Sequence, residues 1–202
     1  MGSSGLLDII GSFTTFGLLM LAMFRLNAGS TESTNAYYAN YMLQTNMLTL
    51  TLMLETDLRD IGKNYTRTNS DPTPIRTAAT NELSFMIGPD LIDWKVGDPS
   101  ELTATPNPLD RYVRRNVNGV EHILNLGVTN MTFKYWKIDS PTDSLPAPVA
   151  QTDYSVIGPV DVSIQIESQY KRTQQYMNDT SEYEMYWRQI RSVARSTMIQ
   201  SQ

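Results

Sequence analysis

The sequence predicts an α+β protein in which one long N-terminal helix packs on an antiparallel β-sheet, and three observations support this fold class. Residues 6–24 are almost wholly apolar. Apolar residues then recur at three- and four-residue steps as far as residue 61, in a stretch without proline. The remainder alternates short apolar or period-two stretches with turn-rich segments. The predicted divisions are a hydrophobic anchor or assembly helix at 1–27, its amphipathic continuation at 28–63 and a β-sheet head domain at 64–202.

The apolar segment is long enough to cross a membrane. Residues 6–26 would span about 30 Å as a helix, which matches the hydrocarbon core of a bilayer. Asp8 lies near one end of the segment and Arg25 near the other, so both charges can reach headgroups or water. In a plain anchor Asp8 is a flanking charge. In an assembly helix it pairs with a positive group on a neighbouring subunit, because a buried carboxylate needs such a partner.

We expect this segment to be retained rather than cleaved. A secretory signal normally has a basic start, and residues 1–5 contain no lysine or arginine, although Ala28-Gly29-Ser30 is small enough for cleavage. The candidate assembly residues therefore belong to the segment itself. They are Leu6, Leu7, Asp8, Ile9, Ile10, Phe13, Phe16, Leu18, Leu19, Leu21, Phe24 and Arg25.

The second part of the helix is predicted to be amphipathic and to cover the following domain. Its expected inward residues are Tyr38, Met42, Leu43, Met47, Leu50, Met53, Leu54, Leu58 and Ile61. The polar residues that fall mostly between them are Thr45, Asn46, Thr49, Thr56 and Asp57. We expect the helix to end at Gly62, with a weak point at Gly29.

The rest of the chain is predicted to form mostly antiparallel strands. The expected strands are 82–88, 91–97, the two arms of a hairpin at 109–127, 128–138 and 160–170, with a strand or short helix at 184–196. The expected loops are 66–81, 98–108, 140–159 and 175–183. Asn118-Gly119 is the strongest turn signal. The cleanest alternation places Val160, Val162, Ile164 and Ile166 inward and Asp161, Ser163, Gln165 and Glu167 outward.

Composition and motifs exclude several classes of function. The net charge of −5 and the pI of about 4.9 argue against a nucleic-acid partner. With no cysteine, the chain has no disulfide, thiolate metal site or cysteine nucleophile. No nucleotide-binding or hydrolase motif occurs. We therefore expect a protein that is not an enzyme and that uses no cofactor and no small-molecule substrate.

The remaining polar residues favour structural roles. His122 is the single histidine and is expected to be a surface or satisfied side chain. Asp90, Asp93 and Asp98 lack the spacing and glycine of a calcium loop. A small basic cluster is expected to form a solvated strand face that pairs with acidic neighbours. It consists of Arg111, Arg114 and Arg115.

Three segments carry a resemblance to a known family. "LETDLRDIGKN" resembles the helix-ending segment of minor pseudopilins. "LDRYVRRNVNGVEHILNLGVTNMTFKYW" resembles their order of an Arg-bearing strand, a hairpin and an aromatic strand, and "GPVDVSIQIES" resembles the strand that follows. In order, these segments resemble type IV pilins and pseudopilins, and most of all the J-type minor pseudopilins of type II secretion and the W-type minor pilins.

The resemblance implies a structural subunit of a pilin-like filament or pseudopilus. Its partners would be copies of itself or related pilin-like subunits, with membrane lipid around the helix before assembly. Its location would be the bacterial inner membrane, with the head domain outside the cytoplasm, or an extracellular filament. The family has Glu at the fifth mature position, whereas cleavage after Gly2 or Gly5 would place Leu7 or Ile10 there. Asp8 is the nearest carboxylate, and it would take over the pairing with a neighbour's N-terminal amine.

Two alternatives share the same sequence features. The first is a single-pass membrane-anchored, non-catalytic subunit of a bacterial envelope complex. The second is a membrane-tethered enzyme or ligand-binding domain, which would need a pocket with converging polar groups.

Overall fold

The computed structural model describes residues 3–68, 71–140, 142–173 and 181–193, and it confirms the predicted α+β fold. One helix, α1, spans Ser3–Arg59. The strands are β1 (Ile75–Ala78), β2 (Glu82–Ile87), β3 (Asp90–Val96), β4 (Arg111–Val117), β5 (Val120–Lys137), β6 (Ser144–Leu145), β7 (Ile157–Glu167), β8 (Arg172–Thr173), β9 (Ser181–Glu182) and β10 (Met185–Val193). Two 3-10 helices cover Pro99–Glu101 and Gln151–Val156.

The main sheet is antiparallel throughout and follows the order β1-β2-β3-β4-β5-β7-β10, with β6 paired to β5. Strands β8 and β9 form a separate two-stranded sheet. The internal contacts of the chain divide it into two compact units, Met1–Tyr41 and Met42–Gln202. The second unit contains the sheet and the last part of α1.

The last part of α1 closes the core of the second unit. Apolar residues at three- and four-residue steps lie on one side of a helix, and this side packs on the sheet. The buried helix residues are Leu43, Met47, Leu50, Leu54 and Leu58, with Ile61 just beyond the helix. Their sheet partners in the same cluster include Phe85, Trp94, Val113, Phe133 and Ile164. The core therefore lies between one helix and one face of the sheet.

The predicted inward set differs from the observed one at a few positions. Tyr38 and Met42 are 61% and 58% exposed, and Met53 is only partly buried. Conversely, Asp57 was expected among the polar residues between the inward positions, and it is 7% exposed. These differences show that the buried side of the helix is narrower than the apolar pattern and includes one carboxylate.

The helix ends slightly earlier than predicted. It stops at Arg59, and hydrogen-bonded turns continue to Asn64. Gly62, the predicted end, has φ +70° and donates its N–H to the carbonyl of Met86 at 2.8 Å. The weak point expected at Gly29 is absent from the secondary structure, because the helix is continuous there.

The hairpin prediction is confirmed, and one predicted strand boundary is corrected. Asn118 and Gly119 both have positive φ, 53° and 88°, as a type I′ turn requires. Strand β5 continues without interruption through Gly127, where two separate strands were expected. Gly127 has φ +74°, and a Cβ there would lie 2.9 Å from the carbonyl oxygen of Glu167. The register shifts just beyond it, so a bulge absorbs the irregularity.

Two predicted loops contain strands. Strand β1 lies inside the expected loop 66–81, because pairing with β2 orders a segment whose own sequence is turn-rich. Strand β7 begins at Ile157, inside the expected irregular stretch 140–159. Residues 184–196 contain the strand β10, and most of the predicted turn 175–183 lies outside the described residues.

The alternation of β7 is confirmed for its apolar side, and on its polar side Ser163 and Gln165 are half-buried. Val160, Val162, Ile164 and Ile166 are buried, as expected. Asp161 and Glu167, which are predicted to face outward, are only 2% and 7% exposed. Arg191 of the neighbouring strand β10 donates to Asp161. Gln165 of β7 itself and Asn107 in the loop before β4 donate to Glu167.

Candidate assembly site

The apolar part of α1 presents its side chains to the surroundings. Every large apolar residue from Leu6 to Leu26 is exposed, by between 46% and 75%. Monomeric soluble proteins rarely expose so extended an apolar surface, since it costs free energy in water. This part of the helix therefore requires a covering by lipid or by protein.

The polar groups within the segment are compatible with an apolar environment. The hydroxyl groups of Ser12, Thr14 and Thr15 donate to the carbonyls of Asp8, Ile10 and Gly11 at 2.8 to 2.9 Å. Each bond runs back four residues along the helix, so these hydroxyls need no water. Within the described part of the chain, one helix is long and apolar enough to cross a membrane, and its most apolar window has a mean hydropathy of 1.8.

Small and polar residues share one side of this segment. At about 100° per residue, Gly5, Asp8, Ser12 and Thr15 fall within a narrow sector of the helix, with Gly11 at its edge. A Cβ atom added at Gly5 or Gly11 would meet nothing within 4 Å. The backbone is therefore open to close approach along this side, which we call the Asp8 face.

All twelve predicted assembly residues lie on this one helix, and all are exposed. Their contacts with other subunits remain a prediction. Three residues outside the predicted set belong to the same surface: Met20, Met23 and Leu26 are exposed by 46%, 72% and 75%. The apolar run that identified the others includes them as well.

The described residues of the sheet domain include no candidate metal site. Nowhere in that part of the chain do three or more His, Cys, Asp or Glu side chains group in a way that could hold a metal ion. His122 is exposed, as expected. Asp90 accepts a hydrogen bond from Asn118 Nδ2 at 2.7 Å, and the pKa of Asp93 is raised chiefly by burial.

The arginine cluster of β4 pairs only in part as predicted. Arg115 forms a bidentate ion pair with Asp57 at 2.7 and 3.0 Å, and Arg114 forms ion pairs with Glu101 and Glu121. Arg111 instead donates Nε to the carbonyl of Thr129 at 3.0 Å. These side chains fix helix, loop and strands to one another.

Two further carboxylates, those of Asp161 and Asp110, are buried, and their pKa values shift in opposite directions. Burial alone would raise the pKa of Asp161, but hydrogen bonds from Arg191 and Gln189 and the charge of Arg191 lower it below its usual value. Asp110 is fully buried, and neither of its carboxylate oxygens accepts a hydrogen bond from the described residues. Burial raises the pKa of Asp110; the neighbouring Thr105 hydroxyl opposes part of this shift, and the charge of Glu167 adds to it.

Comparisons of the chain with protein-family models, with curated proteins and with solved structures give no match. The long N-terminal helix and the antiparallel sheet are compatible with a pilin-like arrangement.

Proposed function

We propose that this protein is a structural subunit of a type IV pilin-like filament or pseudopilus, which assembles through residues 5–26 of its N-terminal helix. The observation that supports the proposal is the contrast between two parts of one helix. Residues such as Leu50 and Leu54 are fully buried on the sheet of their own chain, whereas Phe13 and Phe16 are 74% and 60% exposed. The second unit buries its core within its own chain, whereas the apolar side chains of residues 5–26 are exposed and available to pack on lipid or on another subunit.

The composition of the segment favours helices of other copies as that covering. In an apolar environment helices associate through small residues that let backbones approach, and through polar groups that find partners. The Asp8 face supplies both, with Gly5 and Gly11 open to contact and one carboxylate among them. A carboxylate surrounded by lipid is costly, so Asp8 favours a protein partner of opposite charge.

The role we propose is non-catalytic. The sheet domain would face outward, and the subunit would require neither a cofactor nor a small-molecule substrate. Before assembly the helix would lie in the bacterial inner membrane with the sheet domain outside the cytoplasm. The partners would be copies of the same chain or related pilin-like subunits.

A single-pass membrane-anchored subunit of an envelope complex is the second candidate. The length of the segment, about 30 Å, favours it. So do the positions of Asp8 and Arg25 near the two ends, where both side chains can reach the interfaces. Under this alternative the helix stays in lipid and Asp8 needs no protein partner.

The effect of an Asp8 substitution separates the two candidates. We would express the full chain with Asp8→Ala in its native host, shear the cells, and measure the protein in the membrane and extracellular fractions by immunoblotting. Filament assembly predicts that the unaltered chain appears in sheared fibres and that Asp8→Ala confines it to membranes. Glu32→Ala is the matched control, because Glu32 lies on the same helix beyond the apolar segment and should assemble normally. Unaltered protein found only in membranes, with Asp8→Ala indistinguishable from it, would contradict the proposal and support the anchored subunit.

A further inference from the structure

The two charges of the apolar segment cannot satisfy each other within one chain. Asp8 and Arg25 are the only ionisable side chains among the first 31 residues. They are 17 residues apart in a continuous helix, which separates them by about 25 Å along its axis. Both side chains are exposed. When the segment is buried among other helices, each charge must therefore find its partner in another copy.

The two charges also lie on different sides of the helix. A separation of 17 residues at about 100° each places Arg25 about 100° around the axis from Asp8. The Asp8 face carries small and hydroxyl residues together with Leu19. The side that bears Arg25 also carries Leu18 and Leu21, against which the aliphatic part of an arginine can pack.

Different faces with opposite charges favour an open-ended assembly. In a heterologous contact, one face of a subunit meets a different face of the next, and repetition of the contact builds a filament. A two-fold contact would instead require both charges on the same face. Parallel helices in register would place each Asp8 beside another Asp8, which is unfavourable.

We propose that neighbouring copies pack their parallel N-terminal helices with an axial offset of about 25 Å, so that Asp8 of one copy forms an ion pair with Arg25 of the next, in place of the neighbour's N-terminal amine that the pilin resemblance implies as its partner. This inference rests on the proposed filament function, and the partner is a second copy of this chain. Such an offset does not fit two anchors in one bilayer, because one helix would be drawn out of the hydrocarbon core.

Glu32 is the competing partner for Arg25. Pairing of Arg25 with Glu32 of another copy needs an offset of seven residues, about 10 Å. These two residues are about 20° apart on the helix and so share a face, which suits a two-fold contact better than a heterologous one. Glu32 also lies beyond the apolar run, where water can solvate it.

Engineered cysteines test the offset directly, because the chain contains no cysteine of its own. Ser12 lies four residues after Asp8, and Gly29 lies four residues after Arg25. The two positions are therefore also 17 residues apart and are related around the helix axis in the same way as the two charges. We would express Ser12→Cys/Gly29→Cys in the full chain, oxidise sheared fibres, and separate the products on a non-reducing gel. The proposal predicts a ladder of dimers, trimers and longer species, and no ladder with either single substitution.

A second pair and a charge exchange complete the test. Ala22→Cys/Gly29→Cys reports the seven-residue offset, and cross-links with this pair alone would overturn the proposal. Asp8→Arg and Arg25→Asp should each cause loss of fibres, and the double exchange should restore them. If the unaltered chain forms fibres, but Ser12→Cys/Gly29→Cys gives no ladder and the double charge exchange restores no fibres, the offset is refuted and filament assembly stands. Absence of the unaltered chain from sheared fibres refutes both.

Discussion

A buried ion pair between the helix and the sheet gives the sharpest stability prediction. Asp57 on α1 is 7% exposed. Its Oδ2 accepts from Trp94 Nε1 at 2.9 Å and from Arg115 Nε at 2.7 Å, and its Oδ1 accepts from Arg115 Nη2 at 3.0 Å. The guanidinium also lies 5.9 Å from the centre of the Trp94 ring. Three N–H donors from two strands thus satisfy one buried carboxylate, and the guanidinium of Arg115 neutralises its charge.

We predict that Arg115→Met strongly destabilises the protein. The substitution keeps an unbranched side chain of similar length but leaves Asp57 with Trp94 alone. Removing one partner of a fully buried ion pair costs about 3–5 kcal/mol. Because the Arg115 side chain is 22% exposed, water can reach part of the vacated site, so we expect a loss of about 3 kcal/mol. For a unit of this size the melting temperature should fall by roughly 10 °C.

The assay is urea unfolding of the full chain in detergent micelles, followed by tryptophan fluorescence. Arg114→Met is the matched control, since Arg114 is the neighbouring residue on β4. Its partners Glu101 and Glu121 have side chains that are 38% and 46% exposed. Exposed pairs contribute about 1 kcal/mol or less. A loss for Arg115→Met no larger than for Arg114→Met would refute the reasoning. So would an Asp57→Asn/Arg115→Met double variant whose loss equals the sum of the two single losses.

The remaining predictions concern the same unit and use melting curves of the full chain. Asp110→Asn should stabilise the protein at pH 7 by about 1 kcal/mol. Because the folded pKa of Asp110 is raised, its carboxyl group destabilises the folded state only at pH values above the ordinary aspartate pKa. The stability gained by Asp110→Asn should therefore vanish below about pH 4. An unchanged gain at that pH contradicts this reasoning. Asp161 has a lowered folded pKa, so Asp161→Asn should destabilise at pH 7 and approach the unaltered protein as the pH falls through the folded pKa. Asn118→Ala should cost about 1–2 kcal/mol, because its φ is +53° and the alanine Cβ disfavours that conformation; Asn118→Gly should cost less, and equal losses would exclude backbone conformation as the cause.

Local patterns made the fold class predictable. The hairpin at Asn118-Gly119 needs only two residues with positive φ, and both have it. The helix that closes the core needs apolar residues at helical spacing, and Leu43, Leu50 and Leu54 satisfy this. Such signals depend on neighbours in sequence, so the amino-acid sequence alone reveals them.

Features that depend on distant pairing were not predictable in this way. Asp57 was expected among polar residues, because nothing nearby indicates that Trp94 and Arg115, 37 and 58 residues later, lie against it. Strand β1 was expected to be a loop, because its order comes from pairing with β2. Asp161 was expected only to face outward on β7, since the sequence does not show that Arg191 on the next strand in the sheet covers it.

The candidate assembly site was visible in the sequence as an apolar run with a charge near each end. The structure adds that these side chains are exposed and that Asp8 and Arg25 lie on one continuous helix. The partner of each charge lies in another copy under our proposal, so neither the sequence nor the fold of one chain identifies it.

The most direct test of filament assembly is N-terminal mass spectrometry of the native protein, compared between membranes and sheared extracellular material. Our account predicts protein in sheared fibres with residues 6–26 retained, whether or not the first residues are trimmed. Protein confined to membranes with Met1 in place would contradict assembly and favour the anchored subunit. An N-terminus near Ser30 would mean that the helix is removed, and both candidate functions would then fail.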